Sequence, residues 1–157
     1  MKSVQTNCIT ELLPDQAISR ARELDAYLLQ HKKPIGPLHG LPISVKEMIG
    51  MEGLGLNASY VAWWGKTASE DAHVLQILWD AGAIFYARTT QPQGMMHLET
   101  DSTLYGVTVN PYNRDLTAGG SSGGEGALIA MRGSCLGVGS DIGGEIPFFH
   151  LHLGPSV

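Results

Sequence analysis

Gly119-Gly120-Ser121-Ser122-Gly123-Gly124, followed closely by the apolar run Ala127-Leu128-Ile129-Ala130-Met131, sets two hydroxyls between four glycines at the mouth of a helix. Glycine lets a backbone approach its neighbours closely and take conformations that other residues resist. The first turn of a helix offers unpaired N–H groups to an anion or oxyanion. The spacing predicts a helix over 122–131, and a flexible Gly/Ser linker would not run straight into such a segment. A phosphate loop of the form G-x-x-x-x-G-K-[ST] needs a lysine that this stretch lacks. A dinucleotide fingerprint at Gly137-Val138-Gly139 fails because Ile142 stands where the third glycine belongs. Gly120-Ser121-Ser122-Gly123-Gly124 does match the G-x-S-x-G nucleophile elbow, with Ser122 as nucleophile. That elbow requires an apolar strand before it, whereas Asn113-Arg114-Asp115-Leu116-Thr117-Ala118 is polar and turn-like. Its acid and base would have to be Asp141 and His150 or His152.

Outward from this block, Leu136-Gly137-Val138-Gly139-Ser140 reads as a strand after the helix. Upstream, Ala83 to Arg88 reads as a buried strand, and Asp71 to Ala81 as a helix with apolar positions at Val74, Leu75, Leu78 and Trp79, ended by Gly82. Leu41-Pro42-Ile43-Ser44-Val45-Lys46 is short and β-branched, a strand whose last residue is a lysine. Ala17, Ile18, Ala21, Leu24, Leu28 and Leu29 recur at helical spacing from Asp15 to Lys33, where Pro34 stops the pattern. Strand, helix, strand, helix, strand is the α/β signature of a parallel sheet. Glu145 to Val157 do not supply the next helix, so the sheet's cover is expected to be unfinished.

Composition narrows the function classes. Only 16% of the 157 residues are charged and 43% are hydrophobic, which excludes a disordered tail. The formal charge is −5, and beyond Thr89 the cationic side chains are Arg114 and Arg132, so no basic footprint for nucleic acid exists. No apolar run approaches the ~20 residues that span a bilayer, and the first residues lack a secretory signal. Cys8 and Cys135 fit no metal-ligand spacing and read as free thiols of a reducing, cytoplasmic compartment. His150-x-His152 lacks the further ligands a metal pair needs. A lysine ending a strand is by itself an ordinary exposed residue; it gains meaning only beside the two glycine turns.

Taken together, Gly36-Pro37-Leu38-His39-Gly40-Leu41-Pro42-Ile43-Ser44-Val45-Lys46-Glu47, the Asp71 to Gly82 helix and everything from Thr89 to Gly144 resemble the amidase signature family, and more closely the acetamidase-type general amidases of fungi. The resemblance implies an α/β fold, a partial amidase signature fold with a mixed sheet, covering helices and the C-terminal half missing. Its expected divisions are an N-terminal extension over 1–14, the partial domain over 15–146 and a divergent tail over 147–157. It implies hydrolysis of carboxylic acid amides by a lysine, a serine held by a cis peptide bond and a nucleophilic serine. By position Lys46 is the base and Ser121 the cis-serine. A lysine shielded from water can hold a free amine, and a hydroxyl between it and the nucleophile can move the proton both ways. Backbone N–H groups of Ile142, Gly143, Gly144 and residue 145 would bind the oxyanion, and Met95 matches a loop near the substrate, although a methionine pair is also ordinary packing. Asp141 would brace the second turn. No metal or organic cofactor is implied. The expected partner is a small-molecule amide, with a homo-oligomer or docking on a full-length paralogue as further possibilities.

One departure bears on activity. The family's Gly-Gly-Ser-Ile-Arg stands here as Gly143-Gly144-Glu145-Ile146-Pro147, so Glu145 occupies the nucleophile's position. A carboxylate attacking an amide would form a high-energy anhydride, and beside Lys46 it would pair with the ammonium. The expectation is an impaired or inactive hydrolase, with a non-catalytic amide-binding or regulatory remnant as the alternative, and an esterase using Ser122 as another.

Overall fold

The structure, a computed structural model, describes residues 6–142. Its strands are β1 (Ile9–Leu12), β2 (Pro42–Lys46), β3 (Ile84–Thr89), β4 (Asp101–Ser102), β5 (Gly106–Val107) and β6 (Gly137–Val138), and its helices are α1 (Pro14–His31), α2 (His73–Asp80) and α3 (Gly123–Ala130). The main sheet runs β1-β3-β2-β6, and β4 with β5 forms a separate ribbon. β2 lies parallel to β3 and to β6, while β1 is antiparallel to β3, with Ile9 opposite Thr89 and Leu12 opposite Ala87. The sheet is therefore mixed, as the family resemblance implies, rather than wholly parallel. Ile9–Leu12, within the stretch read from sequence as an extension, contribute its antiparallel edge. Ile9-Thr10-Glu11-Leu12 is too short and too polar to show strand periodicity, and backbone pairing with β3 defines it instead.

β2 is the strand on which the site is built. Its side chains alternate between the two faces of the sheet. Ile43 and Val45 enter a core with Leu13, Met51, Leu75, Ala83 and Phe85, whereas Ser44 and Lys46 face the other way, toward α3. Both faces are covered, so all four are buried.

α1 starts with Pro14 in its first turn, where the missing N–H costs nothing. It ends at Lys32, whose left-handed backbone (φ 57°) lets its N–H reach Leu28 O. Arg20 docks α1 on α2: its guanidinium lies 4.0 Å from the Trp79 ring centroid and donates to Trp79 O at 2.7 Å. After α2, Gly82 takes φ +98°, and a Cβ there would lie 2.7 Å from His39 Cα, so both conformation and space demand glycine.

α3 packs through Ala127 and Leu128 against Cys8 and Ala118, and its first turn lies against β3. A Cβ on Gly124 would stand 2.4 Å from Thr90 N and 2.7 Å from Cys8 O, both backbone atoms. Gly124→Ala is expected to destabilise the fold by about 1–3 kcal/mol, read as a lower urea midpoint with an unchanged slope. An unaltered midpoint would show that α3 can move off the sheet.

Candidate active site

Lys46 reaches the site because β2 ends there with its side chain on the α3 face. It is 0% exposed. Its Nζ lies 2.6 Å from Ser121 Oγ, 3.0 Å from Ser122 Oγ and 2.9 Å from Ser140 Oγ. Three hydroxyls from two glycine-rich turns thus converge on one amine.

Ser121 follows a cis peptide bond from Gly120, as the family resemblance implies. Gly120 has no room for a side chain: a Cβ would meet His97 O at 2.7 Å and Glu99 N at 2.9 Å. Thr100 ties the turn together, its hydroxyl donating to Gly119 O at 2.8 Å and accepting from Gly123 N–H at 3.0 Å. The 97–99 segment that seals Gly120 continues from the 3-10 turn Gln93–Met95. Met95 there is half-buried with a left-handed backbone (φ 59°), which places it on the loop over the serine turn.

Ser122 is engaged differently from an elbow nucleophile. Its Oγ accepts Ser140 N–H at 3.1 Å and donates to Ser140 O at 3.0 Å. The residues before it form turns and an isolated bridge rather than a sheet strand. This corrects the elbow reading: no strand delivers Ser122, and its hydroxyl clasps the turn after β6. Ile142, two residues beyond Ser140, is 74% exposed at the open end of that turn. Gly143, Gly144, Glu145, His150 and His152 lie outside the described residues.

Two carboxyls near Lys46 carry no signal in the sequence analysis. Glu125, in the first turn of α3, is 4% exposed. Its oxygens lie 2.6 Å from Ser44 Oγ and 2.9 Å from Thr89 Oγ1. Ser44 precedes Lys46 by two residues and Thr89 is its register partner on β3, so Glu125 sits behind the lysine on the same sheet face. Burial pushes its carboxyl up to about 7, against the opposing pull of the Ser44 and Thr89 hydroxyls and the Lys46 charge. Glu47, next to Lys46, is also buried. It accepts Asn57 N–H at 2.8 Å, Ala58 N–H at 3.2 Å and the Gln91 side-chain amide. Those bonds hold a loop in which Ala58 and Ser59 have left-handed backbones. A charged residue within a glycine-rich or apolar run is ordinarily solvated, so only its isolation among uncharged neighbours could have marked Glu125.

Comparison with known proteins identifies the family. A family model described as Amidase matches residues 2–147. The chain is 48% identical over 141 residues to an acetamidase of Emericella nidulans, covering 90% of this chain and 26% of the relative. It is 49% identical over 140 residues to an acetamidase of Aspergillus oryzae, covering 89% and 26%. Among solved structures, a fatty acid amide hydrolase superposes with a TM-score of 0.88 at 43% identity, covering 92% of this chain and 25% of the other. The chain spans about a quarter of the length of these relatives. With a buried lysine facing a cis-linked serine, and a family match that runs nearly end to end, the chain belongs to the amidase family.

Proposed function

We propose that this chain carries the proton-handling part of a hydrolase of carboxylic acid amides, acting on carbon–nitrogen bonds other than peptide bonds, and that it is catalytically impaired as written. The observation that supports this is the contact of buried Lys46 Nζ with three serine hydroxyls at 2.6–3.0 Å. In the full reaction, a free amine at Lys46 draws the proton of Ser121, and Ser121 takes that of the attacking alcohol. The alkoxide adds to the carbonyl carbon, and N–H groups of the turn from Ile142 to residue 145 bind the developing oxyanion. Collapse expels ammonia or an amine, which receives the proton back along the same path, and water then releases the acyl group.

Glu145 interrupts this scheme at its first step. It offers no alcohol proton and a poor nucleophile, and its charge favours the ammonium form of Lys46. Removing the nucleophile of an unrelated serine hydrolase costs about 10⁶ in kcat, so turnover by this chain is expected to match a heat-killed blank. Incubation of the purified protein with acetamide, followed by an ammonia assay, tests this; release clearly above the blank overturns the reading of Glu145. Titration calorimetry with acetamide distinguishes a surviving binding role, which would give saturating heat without product.

A further inference from the structure

Deepening the proposed function, and resting on it for the meaning given to Lys46, the geometry points to Glu125 as a positioning residue, a proton-bearing carboxyl whose charge is kept away from the lysine by a one-way chain of hydroxyls. The chain is set by counting hydrogens. Ser134 Oγ lies 2.7 Å from Leu136 O, a carbonyl with no proton to give, so the Ser134 hydrogen points there. Ser44 Oγ lies 3.0 Å from Ser134 Oγ, and with the Ser134 hydrogen already committed, Ser44 must be the donor in that contact. Ser44 then has no hydrogen left for Glu125 Oε2, 2.6 Å away. With Ser44 donating to Ser134, a proton carried by Glu125 satisfies that short contact, whereas the Ser44 pull on the carboxyl belongs to the ionised form, in which Ser44 donates to Oε2 instead. The other oxygen, Oε1, is free to accept from Thr89 Oγ1 at 2.9 Å. An ionised carboxylate would instead leave one of the three oxygen pairs without a hydrogen.

Space enforces the placement. A Cβ on Gly137 would lie 1.9 Å from Glu125 Oε2, so only glycine on β6 admits the carboxyl at this depth. Among the described residues, the titratable groups facing it are Lys46 from β2, Tyr86 from β3 and Cys8 from the segment before β1. Tyr86 donates its hydroxyl to Gly133 O, and burial pushes both the Tyr86 phenol and the Cys8 thiol up, so both are uncharged. Among the described residues, Lys46 is therefore the charged group that feels the state of Glu125. With the proton in place, the lysine has a neutral acid behind it and can serve as a free amine. Loss of the proton puts a buried anion there and holds the ammonium.

The test needs no substrate. In the full chain, carbon-13 NMR of the Glu125 carboxyl is expected to titrate with a midpoint of about 7, and the Lys46 Nζ resonance to pass through an inflection at that same midpoint. Glu125→Gln should remove the lysine's inflection. Ser134→Ala releases the Ser44 hydrogen to Glu125, favours the carboxylate and should lower the carboxyl midpoint by about half a unit or more. A carboxyl that titrates in the ordinary glutamate range, an unchanged or raised midpoint in Ser134→Ala, or a Lys46 inflection that persists in Glu125→Gln each overturns the inference. Ser134→Ala deletes only a hydroxyl, so its sign remains readable should Glu125→Gln fail to fold. Acetamide turnover clearly above the blank would overturn the proposed impairment and leave these titrations standing, and the reverse holds equally.

Discussion

Glu145→Ser, introduced into this chain joined to the C-terminal remainder of a homologous acetamidase, is expected to raise acetamide hydrolysis about 10⁶-fold over the same chimaera with the glutamate kept. The expectation follows from what is already assembled around Lys46. Its Nζ touches Ser121 at 2.6 Å, the serine turn is sealed by the 97–99 segment, and the Ser122–Ser140 clasp ties that turn to the segment after β6. On the proposed scheme, the alcohol oxygen at position 145 is what the substitution supplies. Lys46→Met in the Glu145→Ser chimaera should then return the rate to the level of the glutamate form, because catalysis by residues that act as a unit is lost with any essential member. If the serine restores nothing while the chimaera folds, Lys46 and Ser121 do not have the roles proposed for them. If Lys46→Met leaves the restored rate intact, the proton passes elsewhere.

The second large effect concerns stability. Glu125 titrates at about 7 in the folded protein against a value of 4.5 for an unperturbed glutamate. Between those values the folded state binds the proton more strongly than the unfolded chain. The contribution of Glu125 is thus fully present below 4.5 and is lost as pH rises through about 7, at most about 3 kcal/mol in all. Urea unfolding of the wild type is expected to be easier at about pH 8 than at about pH 5, and Glu125→Gln, which cannot ionise, should flatten that dependence. A wild-type profile that is flat or rises across the window would place the carboxylate, rather than the acid, in the folded state.

The pairing of Lys46 with Ser121 was legible through the family resemblance, which rests on strand end, glycine block and second glycine turn occurring in one order, and the two side chains meet at 2.6 Å. Helix positions were legible to within a few residues because Leu24, Leu75 and Leu128 sit at helical spacing and are buried for that reason. Glu125 was not legible. Its side chain enters the protein only because Gly137 leaves space and Ser44 and Thr89 offer hydroxyls, and those partners lie on three different strands. Ser140 is a similar case: a serine after Gly139 is unremarkable until β6 brings it beside Ser122. Nor could β1 be read locally, since its hydrogen bonds all go to β3, some eighty residues downstream. In each instance the deciding contact is remote in sequence, whereas what could be read was local pattern or a family's fixed order.

The two-sided character of β2 has a consequence for how this region tolerates change. A slip of a single position along its neighbours would drive the Lys46 amine into hydrocarbon and present Val45 to the serines. Both errors are penalised by burial rather than by any chemistry the protein performs. The lysine's address is therefore guarded by the fold itself, and a lineage released from selection for turnover would still inherit an aligned amine and hydroxyl pair for as long as it folds.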